Sequence, residues 1–372
     1  MSQRENVNPI REQNHRKNSR RYQKRAAARR RRNTIFIVEI VLLLILAVVL
    51  FFVSKLSKIE KTKLDMDKIE VNEDISQESR KIMKGYQTIA MFGLDNRSNG
   101  NLSQGRSDVI MLANINNDTK EVKLVSVYRD TYLDTGDGIF QKCNAAYAKG
   151  GPEQAISMLN VNLDLNITDY VTVDFNSIIE CVDLLGGVDM EITDDEASLM
   201  TGYIRELNEL TGNKAENLTQ GGTYTLNGVQ ACAYARIRYG GGDDYRRTER
   251  QRTVLTAMVK KAQQSDLTTV NKLINEVCGD IQTSFSNAEL LALASQVFQY
   301  SIGDTTGFPF TKTTKVLSKK TGDVVIPCDL SDNVKELHIF LYEDSAYTVS
   351  DTVKQNSEKI VSDTGFKSGD GH

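Results

Sequence analysis

A nearly continuous apolar stretch close to the N-terminus constrains this chain most strongly. The nineteen residues from Ile35 to Val53 are all apolar except Glu39. An α-helix needs about this length to cross the hydrocarbon core of a bilayer. Glu39 lies near one end of the run, where a carboxylate can reach the interface at a lower cost than at the centre. We therefore predict a transmembrane helix over residues 34–54.

A cleaved signal peptide is the alternative interpretation of this stretch. The run is longer than the apolar core of a typical signal peptide. No cleavage site of the small-x-small type follows it in the sequence Phe51–Lys55. Both observations favour a permanent anchor.

The charge distribution orients that anchor. The formal net charge is −3, of which residues 1–33 contribute +10 and the remainder −13. Basic residues next to a membrane helix stay on the cytoplasmic side, so residues 1–33 form a cytoplasmic arm and residues after 54 lie outside. The arm is also able to contact nucleic-acid phosphates, but orienting the helix and touching anionic lipid explain it fully. We expect a single-pass protein of the cell membrane and no nucleic-acid partner.

The rest of the chain divides into three parts. Residues 55–86 are charged with scattered apolar positions, which suits an extracytoplasmic stalk. Residues 87–345 alternate strand-like runs, such as Thr88–Phe92 and Val109–Ile115, with helical patterns at Pro152–Leu159, at Phe175–Leu185 and, closing the domain, at Glu336–Leu341. This alternation predicts an α/β fold with a central mixed sheet flanked by helices. Residues 346–372 are rich in Ser, Asp and Gly and are expected to be disordered.

Several common chemistries are excluded. The three histidines are His15, His338 and His372, which are too scattered for a catalytic triad or a histidine-ligated zinc site. No phosphate-binding glycine loop follows a strand, so a nucleotide cofactor is not expected. The five cysteines are odd in number and widely spaced, which predicts no disulfide framework.

Aspartates and arginines instead cluster at predicted strand ends. Asp95 follows the strand Thr88–Phe92, Asp108 opens the next strand, and Arg129 follows a third. Carboxylate oxygens are the ligands that Mg²⁺ prefers, with substrate phosphates completing its shell. The sequence therefore predicts magnesium held by Asp95 and Asp108.

The arginines predict a phosphate-binding site. We interpret Ala235–Tyr239 as extended, which places Arg236 and Arg238 on one side. Arg247, Arg250 and Gln251 share one stripe of a following helix. The planar guanidinium group binds phosphate oxygens through two hydrogen bonds and keeps its charge. Any single arginine is more often a solvated surface residue, but so many at strand ends and on one stripe favour a site.

Seven ordered motifs give the chain a likeness to a known family. They are Gly93–Arg97, Arg106–Met111, Arg129–Thr131, Lys142–Tyr147, Asp183–Val188, Ala235–Arg238 and Asp244–Arg252. In these motifs the chain resembles the LytR-CpsA-Psr family of membrane-anchored cell-envelope proteins, from about Thr88 to Leu341. Two departures are Tyr128, where a proline is common, and Cys143, where an apolar residue is common.

The resemblance implies a function for these residues. Similar proteins move a glycopolymer, such as teichoic acid, from a polyprenyl-pyrophosphate carrier to a peptidoglycan acceptor, and the likeness also allows a pyrophosphatase side activity. By this likeness the catalytic residues are Asp95, Asp108, Arg129, Arg236 and Arg238. The pyrophosphate would be held by Arg106, Arg129, Arg236, Arg238, Arg247 and Gln251. Phe175, Ile178 and Val182 form one candidate stripe for the lipid tail, which core packing explains equally well.

Two other functions remain open at this point. The chain could bind polyprenyl phosphate without catalysis. It could also act as a transcriptional attenuator through its basic arm, a role long attached to the family. The arm is only 33 residues long and contains no DNA-reading fold, which argues against attenuation.

Overall fold

The computed structural model describes residues 60–61, 64–94, 102, 105–238, 244–266, 269, 272–273 and 281–371. All of these belong to one unit, residues 56–372. The predicted membrane span 34–54, the cytoplasmic arm 1–33 and Asp95 lie outside the described residues. Among the helices that are described, none combines the length and the apolar character needed to cross a membrane.

Strands and helices alternate through most of the unit. The strands are β1 (Glu60–Lys61), β2 (Tyr86–Leu94), β3 (Ser107–Asn116), β4 (Glu121–Val127), β5 (Tyr132–Asp134), β6 (Phe140–Lys142), β7 (Asp169–Asp174), β8 (Val188–Ile192), β9 (Gly222–Leu226), β10 (Ile281–Thr283), β11 (Ser301–Phe308), β12 (Lys312–Ser318) and β13 (Gly322–Pro327). The helices are α1 (Gln77–Met83), α2 (Ala145–Leu163), α3 (Phe175–Leu184), α4 (Asp194–Thr211), α5 (Gly228–Arg236), α6 (Asp244–Gln264), α7 (Asn287–Ser295), α8 (Leu330–Tyr342) and α9 (Asp351–Thr364). A 3-10 turn covers Met66–Lys68.

The central sheet has seven strands in the order β1-β10-β7-β2-β3-β4-β11. β2 pairs with β3 in antiparallel fashion and with β7 in parallel fashion, and β4 and β11 are parallel. The predicted mixed sheet is therefore confirmed. Because β3 runs against both of its neighbours, the start of β3 and the ends of β2, β4 and β7 meet at one edge.

Helices cover both faces of this sheet. Successive side chains of a strand point to opposite faces, so Ala90 and Phe92 pack on the face that carries α2, α8 and α9. Ile89 and Met111 lie on the other face, against Leu255 of α6 and the apolar residues of α7. Burial of both faces explains the unbroken apolar run Val109–Ala113 in β3.

A second cluster of apolar side chains joins α3, α4, α5 and α6 to the small β8–β9 hairpin. Helix α4 and strands β9 and β11 were not predicted, although α4 begins with a capping box in which Thr193 and Glu196 bond each other's backbone. The predicted helix at Pro152–Leu159 is longer, because α2 covers Ala145–Leu163 with a break at Gly150 and Gly151. The closing helix predicted at Glu336–Leu341 is part of the longer α8.

The prediction of a disordered tail over residues 346–372 was wrong. Residues 351–364 form α9, in which Val353 and Ile360 are fully buried in the main core. The Asp164 carboxylate accepts hydrogen bonds from the Tyr347 hydroxyl and, at 2.8 Å, from the Ser350 amide. Only a few apolar residues in this polar segment reach the core, so its composition resembles that of a disordered tail.

The prediction of a stalk over residues 55–86 was also wrong for the residues that the structure describes. Ile69 belongs to the main core, and Asn72 donates to Asp164 at 2.5 Å. Ser79 of α1 donates to Asp344 at 2.7 Å. Residues 64–86 therefore pack on the domain rather than spacing it from another body.

Candidate functional site

A cavity of about 280 Å³ opens at the sheet edge where the ends of β2, β4 and β7 meet. Asp108 lies at the start of β3, Arg129 is the second residue after β4, and Phe175 is the first residue of α3. The cavity is lined by Asp108, Arg129, Phe175, Tyr203, Arg236, Arg238, Arg247 and Gln251. We call this the arginine cavity. Six of these eight residues are ones that the sequence predicted, and Phe175 was considered there only for the lipid tail.

Two helices deliver the remaining arginines. Arg236 is the last residue of α5, Ile237 caps that helix, and Arg238 follows it. The expectation of an extended segment at Ala235–Tyr239 was wrong for Ala235 and Arg236, because a capping box between Asn227 and Gln230 starts a helix that includes them, and Tyr239 lies outside the described residues. Arg236 and Arg238 nevertheless both line the arginine cavity. Arg247 and Gln251 lie one turn apart on α6, as predicted.

Arg129 lies among three carboxylates. Its Nη1 donates to Asp108 at 2.7 Å, while its Nε lies 3.8 Å from Asp130 and 4.0 Å from Asp244. Burial by itself would lower the pKa of Arg129, but these carboxylates, Asp108 first, raise it overall. The Arg129 guanidinium is therefore fixed in its charged form at the mouth of the cavity.

Asp244 connects the arginines to one another. Its Oδ1 lies 3.0 Å from Arg238 and 3.1 Å from Arg247. Burial raises the pKa of Asp244, against the lowering effect of Arg129 and Arg238, and Asp130 raises it further. This carboxylate therefore partly neutralises the arginines that line the cavity.

Arg236 is held by Phe175 and by two residues of α4 that the sequence did not single out. Its guanidinium lies 5.4 Å from the ring centre of Phe175 and 5.6 Å from that of Tyr203, and its Nη2 lies 3.2 Å from Glu206. These contacts are at cation–π and ion-pair distances. Tyr203 and Glu206 belong to α4, so the capping box at its start and the apolar spacing Met200–Ile204–Leu207 were the signals that could have found them.

Several polar atoms of the residues that line the arginine cavity are buried without a hydrogen bond. Arg129 Nε, Arg247 Nε and Gln251 Oε1 are inaccessible to solvent, and among the described residues none has a hydrogen-bond partner. Buried polar atoms in proteins are almost always hydrogen-bonded. The two guanidinium groups thus keep hydrogen-bond donors that no described residue uses, a feature that suits residues of an anion-binding site.

An apolar cavity of about 210 Å³ adjoins the arginine cavity. Phe175 and Gln251 line both cavities. The other lining residues are Met91, Phe92, Gly93, Leu94, Val109, Met111, Val171, Val173, Asp174, Ile178, Cys232, Ala235, Val254, Leu255 and Met258. Of the stripe predicted from the sequence, Phe175 and Ile178 line this cavity, whereas Val182 is fully buried in the second apolar cluster.

Some predicted residues lie elsewhere. Arg106 is exposed and does not line the arginine cavity. Arg250, in the same helix as Arg247, pairs with Glu196 at 3.1 Å and donates to the Ile237 carbonyl, which is a structural role. In the described part of the chain, no group of three or more His, Cys, Asp or Glu side chains could hold a metal ion.

Known proteins share both sequence and fold with this chain. It is 30% identical over 210 residues to the polyisoprenyl-teichoic acid–peptidoglycan teichoic acid transferase TagU of Enterococcus faecalis, covering 56% of this chain and 64% of TagU. It is 30% identical over 195 residues to the corresponding transferase TagV of Bacillus subtilis, covering 51% of this chain and 48% of TagV. The chain thus spans less than two thirds of the length of these curated relatives.

A solved structure shares the fold. TagT (YwtF) of Bacillus subtilis, with bound octaprenyl pyrophosphate lipid, superposes with a TM-score of 0.51 at 22% identity, over 70% of this chain and 92% of the other. At this identity the likeness concerns the fold alone. It agrees with the mixed sheet flanked by helices.

The sequence likeness extends over most of the chain. The LytR_cpsA_psr family model matches residues 46–315. That range contains every residue of the arginine cavity. The chain therefore belongs to the LytR-CpsA-Psr family.

Proposed function

We propose that this protein is a phosphotransferase that moves a glycopolymer from a polyprenyl-pyrophosphate carrier to peptidoglycan. The observation that carries the proposal is the contact between two cavities of opposite character. Four arginines line one cavity, and an almost wholly apolar cavity meets it at Phe175 and Gln251. A lipid pyrophosphate combines the same two parts in one molecule.

The two cavities divide the donor between them. Arg129, Arg236, Arg238 and Arg247 would hold the pyrophosphate oxygens, and Gln251 would lie at the junction with the lipid. The first isoprene units would enter the apolar cavity beside Ile178 and Ala235. The names of TagU and TagV, and the octaprenyl pyrophosphate bound to TagT, support this assignment.

The reaction follows from this arrangement. The oxygen of an acceptor hydroxyl on peptidoglycan attacks the phosphorus that bears the glycopolymer, and the bond to the polyprenyl phosphate breaks. The acceptor proton passes to Asp95 or Asp108. The arginines stabilise the charge that develops on the departing polyprenyl phosphate, and their positions in the cavity are preorganised. Attack by water in place of the acceptor would give the pyrophosphatase side activity.

Mg²⁺ is part of the proposal. The Asp108 carboxylate at the cavity is a suitable hard oxygen donor, and one of its oxygens already accepts from Arg129. Asp95 and the substrate phosphates would supply further ligands, since Mg²⁺ needs few protein groups when phosphates are present. Once bound, the ion would neutralise negative charge on the pyrophosphate.

We further propose that the catalytic domain faces the outside of the cell membrane, with the N-terminus in the cytoplasm. The apolar run Ile35–Val53 and the basic residues before it support this orientation. Lipid-linked donors lie in the membrane, so an anchored enzyme meets them at high local concentration.

The decisive experiment measures transfer by the full-length protein in nanodiscs. A labelled polyprenyl-pyrophosphate glycopolymer, peptidoglycan and Mg²⁺ should give labelled peptidoglycan, and a chelator should abolish the product. Arg236→Ala should lower the rate at least a hundredfold, because an oxyanion-stabilising contact is worth roughly 10²–10³ in rate. Arg205→Ala, which removes an exposed arginine of α4, is the matched control and should leave the rate unchanged.

The outcomes separate the candidate functions. Binding of the lipid without metal-dependent turnover would indicate a non-catalytic lipid carrier. Absence of both transfer and pyrophosphate cleavage, with Arg236→Ala behaving like the wild type, would refute the enzyme. Sequence-specific DNA binding by residues 1–33 would instead revive the attenuator.

The apolar cavity has its own test. Ala235→Leu places three more carbons in a space of about 210 Å³ and should raise KM for a long polyprenyl donor several-fold. Binding of a short isoprenyl pyrophosphate should change little, because the arginines are untouched. An equal effect on both donors would mean that the tail lies elsewhere.

A further inference from the structure

The β12–β13 hairpin concentrates positive charge on an otherwise acidic domain. Residues 312–327 contain four lysines and one acidic residue, a net charge of +3, whereas all residues after 33 together carry −13. Such a local excess attracts anions at a surface that elsewhere repels them. The lysines are Lys312, Lys315, Lys319 and Lys320, and the acid is Asp323.

The hairpin borders the arginine cavity. The Val325 amide donates to the Asp130 carbonyl at 2.9 Å, and the Asp130 carboxylate is the neighbour of Arg129. At the base of the hairpin the Lys312 ammonium lies 4.8 Å from the ring centre of Tyr245, the residue after Asp244. The hairpin therefore continues the charged lining of the arginine cavity outward.

Lys142 extends the same border. Its ammonium lies 3.1 Å from the Asp130 carboxylate and 3.9 Å from the position of a side chain at Gly322, where β13 begins. Positive groups thus follow each other from Arg129 past Lys142 to the hairpin turn.

The hairpin and the apolar cavity adjoin different strands of the sheet. The hairpin contacts Asp130, which follows β4, whereas Phe175 of the apolar cavity follows β7, and β2 and β3 lie between these two strands. A donor whose lipid lies in the apolar cavity would direct the group beyond its pyrophosphate toward the hairpin. That group is the glycopolymer.

The lysines of the turn are the ones available for a ligand. Lys319 and Lys320 are exposed, and in the described part of the chain neither forms an ion pair. Lys315 is engaged instead, because it donates to the Thr364 carbonyl at 3.0 Å and lies over the ring of Phe366.

We propose that the β12–β13 hairpin is a docking surface for a phosphate-rich, polyanionic glycopolymer, the part of the donor that extends beyond the pyrophosphate. This inference rests on the proposed function and adds to it a polymer-binding surface outside the two cavities.

Binding of a soluble polymer tests the surface directly. Full-length protein in nanodiscs of neutral lipid is titrated with poly(glycerol phosphate) at low salt. The double variant Lys319→Glu/Lys320→Glu should bind about tenfold more weakly, since each surface ion pair contributes modestly and reversal adds repulsion. The difference should shrink at 1 M salt, where the screening length falls to about 3 Å.

The matched control is Lys335→Glu/Lys354→Glu, which changes the net charge equally on α8 and α9. Within the described part of the chain, the ion pairs of these lysines are with acids three residues before them. The control variant should retain wild-type affinity for the polymer. A polyprenyl pyrophosphate bearing one neutral sugar should bind all three proteins equally, because it reaches only the two cavities.

The outcomes are distinct. Equal loss of polymer binding in both variants, or no loss in either, would overturn the docking surface. Hairpin-dependent binding of anionic phosphatidylglycerol vesicles, without binding of the polymer, would overturn it in favour of a membrane contact. Failure of the short donor to bind the wild type would count against the proposed function, while the polymer titration would still decide the hairpin.

Discussion

The carboxylate of Asp244 lies 3.1 Å from the guanidinium of Arg247, one turn further along the same helix. The same oxygen lies 3.0 Å from Arg238, which is carried by the preceding segment. An acidic residue thus neutralises the arginines that the proposed function assigns to the pyrophosphate. A bound pyrophosphate must compete with this internal carboxylate for the same cations.

Asp244→Asn should therefore lower the stability of the free protein but increase its stabilisation by pyrophosphate. Loss of the negative charge leaves neighbouring guanidinium groups without a counter-charge, and we expect a loss of about 1–3 kcal/mol in the free energy of unfolding. Added pyrophosphate should raise Tm more in the variant than in the wild type, because it replaces the missing charge and binds only the folded state. Thermal denaturation with and without pyrophosphate measures both.

Asp118→Asn, in the exposed turn between β3 and β4, is the control for that experiment. It should match the wild type in both measurements. Equal stabilisation of all three proteins by pyrophosphate would show that Asp244 does not compete with the ligand.

The contact between α3 and α5 should be sensitive to a single methyl group. A Cβ at Gly228 would lie 2.1 Å from the Ile179 carbonyl oxygen, so Gly228→Ala must push the two helices apart. We expect a loss of about 1–3 kcal/mol in stability, and a lower transfer rate because α5 ends at Arg236. Gly202→Ala in α4 meets no atom within 4 Å and should be neutral or slightly stabilising. Similar Tm values for the two variants would argue against this packing.

A buried histidine should make stability depend on pH. Burial lowers the pKa of His338 to about 4 from its usual 6.5. Between pH 6.5 and about 4, the imidazole therefore binds a proton in the unfolded chain but not in the folded protein. The neutral, buried His338 therefore contributes fully to the free energy of unfolding above pH 6.5. This contribution is lost as the pH falls from 6.5 toward about 4. The loss should approach about 3 kcal/mol at pH 4.

His338→Phe isolates this effect. Phenylalanine keeps a ring near Tyr347, on which His338 stacks at 3.7 Å, but does not titrate. It also lacks the hydrogen bond to the Leu163 carbonyl, so it should be less stable than the wild type at pH 7. Urea unfolding at pH 7, 5.5 and 4.5 should show the gap between the two proteins narrowing toward acid. A gap that stays constant would mean that His338 is not the titrating group.

The C-terminal helix should be required for folding. Ile360→Ala should cost about 2–4 kcal/mol, because its side chain is fully buried in the main core. Lys354→Ala on the exposed side of α9 should stay within about 0.5 kcal/mol of the wild type. Denaturant unfolding measures both, and an unchanged midpoint for Ile360→Ala would contradict the observed packing.

The central sheet was readable from the sequence because local patterns determine it. Strands around Ile89, Met111 and Leu124 have apolar residues on both faces, and Asn, Asp and Gly separate them. The start of α4 at Thr193 and the course of α9 were missed, because few of their residues are apolar and only packing on the domain makes those few decisive. The segment around Ile69 was misjudged for the same reason.

The candidate site also divides into what local sequence determines and what packing determines. The sequence by itself determined which side chains are able to bind a phosphate: Asp108, Arg129, the pair Arg236 and Arg238, and the stripe of Arg247 with Gln251. Only the tertiary structure decided that β3, β4, α5 and α6 place them around one cavity, that Asp244 and Glu206 balance their charge, and that an apolar cavity adjoins them. The physical reason is range: residue type sets the chemistry of each group locally, whereas distances between segments far apart in the chain are set by the packing of the whole domain.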